Sequence, residues 1–312
     1  MKERVLVTGA AGYLGSILVP ELLSKGFHVT ALDTFARNDA SLALHAAHPN
    51  FEPVRGDVRN ETLVKDLLRA VDTIIPLAAL VGAPLCAQDP INAETTNLDA
   101  VLLLLRHMSS HQRIVYPTTN SGYGIGQSGV FCTEETPLNP ISLYGRTKVE
   151  AEKAVLDRGN GITLRLATVF GMAPRMRLDL LVNDFTYRAV MDRAVVIFEG
   201  HAKRNYLHVR DVAKAFLHAI DHYESMRDNA YNVGLSDANL SKLELCAKIQ
   251  QFVPEFTYRT AEIGEDPDKR DYIVSNEKIE KSGWTPDHSL EDGIQELIRG
   301  YRMIRDSRFR NV

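Results

Sequence analysis

Val5-Leu6-Val7-Thr8-Gly9-Ala10-Ala11-Gly12-Tyr13-Leu14-Gly15 is the stretch that decides the fold. A short apolar run ends at a glycine turn, as a buried strand does. Leu14, Ile17, Leu18, Leu22 and Leu23 then recur at helical spacing, so Gly12–Ser24 reads as a helix. Gly9 allows the sharp turn, Gly12 lets the backbone come close to a bound group, and Gly15 lets helix and strand pack tightly. A helix N-terminus in this position offers unpaired N–H donors and a partial positive charge to phosphates. Asp33 closes the next apolar run about 20 residues on, where a carboxylate accepts hydrogen bonds from ribose hydroxyls. A carboxylate there repels a 2′-phosphate, so the pattern predicts NAD rather than NADP, with Arg37 nearby acting the other way.

The rest of the chain continues the alternation. Strands are expected at Arg4–Val7, His28–Leu32, Phe51–Arg55, Thr73–Pro76 and Arg113–Tyr116, with helices at Glu61–Ala70 and Ala93–Ser109 between them. Such order implies an α/β fold, a Rossmann-like doubly wound parallel sheet covered on both faces. A long helix Leu143–Asp157 and a buried strand Ile162–Leu166 follow. Beyond Gly171 the elements shorten: helix Leu178–Met191, strand Ala194–Phe198, helix Val209–His222, strand Ala230–Val233, helix Ser241–Phe252 and a closing amphipathic helix Ser289–Asp306. The expected division is a cofactor domain over 1–170 and a smaller C-terminal substrate-binding region over 171–312, with the chain crossing back to the main sheet.

Composition narrows the function. The chain has 312 residues with 36 Lys+Arg against 40 Asp+Glu, a net charge of −4, which argues against a nucleic-acid or anionic-membrane binder. No apolar run approaches the roughly 20 residues that a membrane span needs. Cys86, Cys132 and Cys246 lie far apart without a CxxC, as in a reducing cytoplasm. The histidines His28, His45, His48, His107, His111 and His201 show no ligand spacing, so no metal is expected.

Two further loops follow predicted strands. Gly56-Asp57-Val58 ends the third; Asp57 either reaches an adenine amino group or caps the helix before Glu61. Leu77-Ala78-Ala79 ends the fourth, small enough to pass beneath a ribose.

Chemistry is expected from Tyr144-Gly145-Arg146-Thr147-Lys148. Positions i and i+4 share one helix face. A free tyrosine, with a pKa near 10, is a poor base at neutral pH, and an adjacent ammonium favours its phenolate. Tyr144 then serves as general base for an alcohol proton. Thr118-Thr119-Asn120-Ser121 follows the fifth strand, at the carboxyl edge where open α/β sheets bind ligands.

Taken together these motifs resemble the extended short-chain dehydrogenase/reductases, in particular the nucleotide-sugar epimerases and dehydratases. TGAAGYLG at 8–15, GDV at 56–58, LAA at 77–79, SLYGRTK at 142–148, RLATVFG at 165–171 and RNYLHVRDVA at 204–213 occur in that family's order. The resemblance implies Thr119, Tyr144 and Lys148 as the catalytic set and NAD as cofactor. It also implies a nucleotide-diphosphate sugar as substrate, and a homodimer joined through helices around 93–109 and 144–157. It assigns substrate contacts to Thr119, Asn120, Ser121, Asn183, Arg204 and Arg270. Arg175 and Arg177 are expected between the sheet and the nucleotide pocket, and each taken alone reads as a solvated salt bridge. His208 and Asp211 are expected to wall the pocket and cap the following helix, Tyr206 to stack on a base or fill the core, and Cys86 to be a small buried residue.

The departures are informative. Dehydratases of the family usually carry Asp-Glu directly after the catalytic Thr, and here Asn120 and Ser121 stand there, without a carboxylate to take a C5 proton. The usual Arg-Pro-Gly ahead of the second anchoring Arg reads Glu265-Asp266-Pro267. The expected activity is oxidation at C4, ranked as a 4-epimerase first and a 4-dehydrogenase second. A third reading is a cofactor-binding sensor or scaffold without turnover.

Overall fold

The computed structural model describes residues 3–36, 40–261 and 270–304. Arg37 and Glu265-Asp266-Pro267, singled out above, lie outside the described residues. The first half runs β1 (Arg4–Thr8), α1 (Gly15–Ser24), β2 (His28–Asp33), β3 (Phe51–Arg55), α2 (Glu61–Leu68), β4 (Thr73–Pro76), α3 (Ala83–Gln88), α4 (Pro90–Glu94), α5 (Ala100–His107), β5 (Arg113–Thr119), β6 (Phe131–Cys132) and α6 (Leu143–Arg158). Then come β7 (Gly161–Leu166), β8 (Thr168–Phe170), α7 (Leu181–Met191), β9 (Ala194–Ile197), β10 (Lys203–His208), α8 (Val209–Asp221), α9 (Tyr223–Met226) and β11 (Asn229–Val233). The chain closes with β12 (Asn239–Ser241), α10 (Lys242–Phe252), β13 (Thr257–Thr260), β14 (Ile273–Val274), α11 (Glu277–Lys281) and α12 (Leu290–Tyr301).

Seven strands form one parallel sheet in the order β11-β7-β5-β4-β1-β2-β3. Both faces are covered, so every residue of β4 and β7 is buried. One face packs with α1, α8 and the C-terminal helix α12; the other packs with α2, α5 and α6. The outermost strand β3 carries Pro53 beside an exposed Glu52, as an edge tolerates a residue without an N–H. β11 brings the chain's second half back beside β7.

The helix expected over Ala93–Ser109 is broken. Pro90–Glu94 is α-helical, Thr95–Asp99 is a π-turn, and Ala100–His107 resumes the α-helix. The widened turn places buried Asn97 against the loop after β4, where its Oδ1 accepts from Leu80 N and its Nδ2 donates to Leu80 O. The bulge thus satisfies a loop that carries no ladder of its own. The strand β10 has no apolar signature, because Lys203-Arg204-Asn205 open it; tertiary contacts bury Arg204 and Asn205.

Neighbouring strands β1 and β4 carry their following loops toward opposite ends of the sheet order, and between them the backbone passes at contact. Gly9 has φ +66°, and a Cβ built on it would stand 2.6 Å from Ala78 N. Gly9→Ala is therefore expected to cost about 2–4 kcal/mol, combining a left-handed backbone with overpacking. Urea unfolding measures this, and a loss under about 0.5 kcal/mol would show that the loops can separate freely.

Candidate active site

A cavity of about 550 Å³ opens at the carboxyl ends of the strands, along the line where β1 and β4 diverge. Gly9, Ala11, Gly12, Tyr13, Leu14 and Gly15 form one wall. A Cβ on Gly12 would meet only the Gly9 carbonyl, so this side of the loop is open to the cavity. α1 starts without a side-chain cap; Ser16 and Ile17 donate their N–H groups to the Gly12 and Leu14 carbonyls, and the N–H groups just ahead of them are left to a bound anion. The Asp33 carboxylate also faces the cavity, positioned by the Ala11 N–H to Oδ2 (2.9 Å) and the Phe35 N–H to Oδ1 (2.8 Å). Each oxygen keeps a lone pair for a ribose hydroxyl.

Asp57, Val58, Leu77, Ala78 and Ala79 complete this half of the lining. Asp57 does not cap α2, since Asn60 does so by accepting from Leu63 N. Asp57 instead pairs with Arg59 (2.6 Å), and the guanidinium's hydrogen bond holds its carboxyl below the usual range. Arg59, which the sequence reading passed over, also lines the cavity and reaches Asn92 and Thr95.

The other half of the cavity carries Thr118, Thr119, Ser121, Tyr144 and Lys148. β5 runs three residues further than expected, so Thr119 ends the strand and a tight turn begins at Asn120. Ser142 caps α6 by accepting from Gly145 N (3.1 Å), which sets Tyr144 in the first helical turn and Lys148 one turn below it. Thr119 Oγ1 donates to Ser121 Oγ (2.9 Å).

Electrostatics distinguish Tyr144 from Lys148. Burial pushes the Tyr144 phenol up to about 12; the Arg177 and Arg270 guanidinia and the Thr119 hydrogen bond act against it. Burial likewise pulls the Lys148 ammonium down to about 7. The permanent cations acting on Tyr144 are thus the two arginines.

Arg177 thus acts on Tyr144 itself. Arg175 and Arg177 are not solvated salt bridges: both are buried and both line the cavity. Arg177 is braced by Asp179 and the Val81 carbonyl. Arg270 also lines the cavity and donates to Ser121 Oγ.

Three expected substrate contacts lie elsewhere. Asn183 is fully buried, and its amide accepts from Gly171 N and donates to Arg177 O and Tyr13 OH, bracing the arginine segment instead of facing the cavity. Arg204 sits behind the lining, where it donates to the carbonyls of Lys203 and Arg270. Asn120 is turned below the wall, its side-chain amide buried without a partner. Tyr206 is core.

His208 caps α8 by accepting from Arg210 N, and its Nε2 meets Glu296 at 2.6 Å, beneath α12 and away from the cavity wall. Asp211 accepts from the N–H groups of Asp287 and His288 and does not cap its own helix. His208, Asp211 and His288 are the one group of potential metal ligands among the described residues. The two imidazoles stack at 4.4 Å with 18° between planes, so their in-plane lone pairs do not converge on one ion. Cys86 is buried, as are the other two cysteines, and all three are free thiols. No helix among the described residues is long and apolar enough to cross a membrane.

Residues 5–234 match the NAD dependent epimerase/dehydratase family. The chain belongs to that family. The low-salt glycan biosynthesis protein Agl12 of Haloferax volcanii is 31% identical over 95% of this chain and 98% of its own. A UDP-glucose 4-epimerase of Lactobacillus helveticus is 28% identical over 93% of this chain and 94% of its own. Among solved structures, DesIV, a dTDP-glucose 4,6-dehydratase of Streptomyces venezuelae with NAD bound, superposes with a TM-score of 0.85 at 25% identity, covering 96% of this chain and 97% of its own. The family is NAD-dependent, and the open glycine loop and uncapped helix offer donors for a pyrophosphate while the fixed Asp33 carboxylate offers an acceptor for ribose hydroxyls, as NAD requires.

Asp33→Ala is expected to weaken NAD binding by about 10- to 100-fold, the loss of one or two hydrogen bonds to a charged acceptor, and to narrow the preference over NADP. Calorimetric titration with both dinucleotides checks it; an unchanged ratio would remove Asp33 from the ribose.

Proposed function

We propose that the chain oxidises C4 of a nucleotide-diphosphate sugar and acts as a 4-epimerase through a 4-keto sugar. One observation carries this reading. Among the described residues that line the cavity, Asp33 and Asp57 are the only carboxylates, both on the β2–β3 side, and neither stands beside Tyr144. Elimination of water needs an acid and a base near C5 and C6, whereas oxidation and return at C4 need one base.

When bound, NAD supplies the hydride acceptor and a positive charge beside the phenol. Tyr144 takes the proton of the C4 hydroxyl, and Thr119 hydrogen-bonds the same oxygen. Lys148, Arg177 and Arg270 offset the cost of a phenolate in a buried setting. Arg270 also faces the diphosphate, for which a guanidinium fork is suited, and Arg204 fixes the Arg270 backbone from behind. The keto sugar turns within the cavity, and Tyr144 returns the proton after the other face has been reduced. Residues 1–170 serve the cofactor and 171–312 the sugar nucleotide. A homodimer through α4, α5 and α6 is part of the same reading, supported by Ile91, which is 77% exposed on that bundle.

Anaerobic incubation of the NAD-loaded protein with UDP-, GDP- and dTDP-glucose is expected to give the C4 epimer of one of them without net NADH. Accumulated NADH with a free keto sugar would establish a 4-dehydrogenase, and a 4-keto-6-deoxy product a dehydratase. Tyr144→Phe is expected to lower kcat by about a thousandfold while NAD affinity stays within about twofold. Full turnover in that variant would remove the phenol from the chemistry.

A further inference from the structure

Behind the cavity wall lies a buried ion pair that the chemistry above does not use. Glu152 stands one turn beyond Lys148 and two beyond Tyr144 on α6, so the three side chains share a helix face. Its side chain is 3% exposed. Arg165, on β7, donates to it through both Nε (2.9 Å) and Nη2 (2.6 Å). Both donors reach the same oxygen, Oε1. The other, Oε2, is buried and accepts no hydrogen bond. Arg165 is itself fixed from behind, since its Nη1 donates to the Tyr123 hydroxyl (3.0 Å) and the Glu134 carbonyl (3.0 Å). Tyr123 in turn donates to Asn232 Oδ1 (2.7 Å).

A purely structural arginine–carboxylate pair gains most from a fork in which both oxygens are used. A carboxylate oxygen without a partner in a low-dielectric interior is costly unless a cation faces it. The adjacent cation on this face is Lys148, itself 4% exposed, with Nζ 4.0 Å from the centre of the Tyr116 ring. The remaining titratable groups around it are neutral at physiological pH. Burial pushes the Cys86 thiol on α3 up to about 11, the Tyr116 phenol on β5 well above its usual value, and Tyr144 up to about 12. Against the burial that pulls Lys148 down, the Glu152 charge is the foremost opposing influence.

We infer that Glu152, clamped by Arg165 through one oxygen, is a positioning residue whose negative charge, one helix turn away, keeps the Lys148 ammonium charged beneath Tyr144. Its role in turnover rests on the proposed C4 chemistry, but its effect on Lys148 does not. Without that carboxylate, Lys148 releases its proton at lower pH, and the phenolate loses one of its cations.

NMR titration of the ligand-free protein labelled with ¹³C,¹⁵N-lysine tests this directly, with the Lys148 signal identified by its absence in Lys148→Arg. The midpoint in Glu152→Gln is expected to fall by about one pH unit or more from the wild-type value. Because that variant leaves Arg165 buried without its partner, Glu152→Gln/Arg165→Met is titrated in parallel, and a smaller fall in the same direction is expected. An unchanged or raised midpoint in a folded variant overturns the inference. With a substrate in hand, the alkaline limb of the kcat profile should move to lower pH by the same amount with KM unchanged. The lysine titration needs no substrate, so failure of the C4 reading leaves it intact, and an epimerase with an unshifted Lys148 sinks the Glu152 role alone.

Discussion

Gly9 and Ala78 touch where the sheet changes direction, and the site depends on that contact. Strands β1 and β4 are neighbours in the sheet, yet the chain leaves β1 toward β2 and β3 and leaves β4 toward β5 and β7. The loops therefore part on either side of one crevice, which becomes the cavity. A side chain at Gly9 would hold them apart, since a Cβ there lies within 2.8 Å of three Leu77–Ala78 backbone atoms. Gly15 repeats the constraint between α1 and the glycine loop, with a Cβ 2.3 Å from the Ala10 carbonyl oxygen. Close backbone packing on one side and open backbone at Gly12 on the other give a rigid wall with exposed donors.

On the opposite wall the governing influence is burial. It raises the phenol and lowers the ammonium, so each group in isolation resists the charge that general-base chemistry asks of it. The surrounding charges answer this in layers. Arg177 and Arg270 flank Tyr144, and Glu152 stands below Lys148 with Arg165 beneath it. Asn183 ties this layer to the cofactor loop, because one amide reaches both Tyr13 and the Arg177 backbone. The loop that cradles NAD and the segment that carries arginines into the sugar half are thereby a single hydrogen-bonded unit.

Much of this was legible in the sequence wherever one physical cause acts alone. The apolar run Thr73–Pro76 gave a strand at the bounds observed, because a sheet covered on both faces needs it. The glycine loop, Asp33 and the Tyr144–Lys148 face follow from turn and helix geometry. What escaped was decided by contacts distant in the chain. Lys203-Arg204-Asn205 carries no apolar run yet opens a strand, and Arg177, taken alone, reads as a solvated ion but is buried against Asp179 and the cavity. Asn183 and Arg204 were read as substrate contacts from likeness alone; the structure shows their polar atoms engaged inside the protein, each one step behind a residue that does line the site. The π-turn at Thr95–Asp99 has no local signal, since its cause is the Leu80 backbone that Asn97 satisfies.

Following the hydrogen on C4 tests the account most directly. UDP-, GDP- and dTDP-glucose carrying deuterium at C4 are incubated with the NAD-loaded protein, and the product is read by mass spectrometry and NMR. The account predicts that the accepted sugar nucleotide returns with its deuterium still on C4 in the inverted configuration. Deuterium found at C6, or washed into solvent from an epimerised product, would contradict a site built for removal and return at a single carbon.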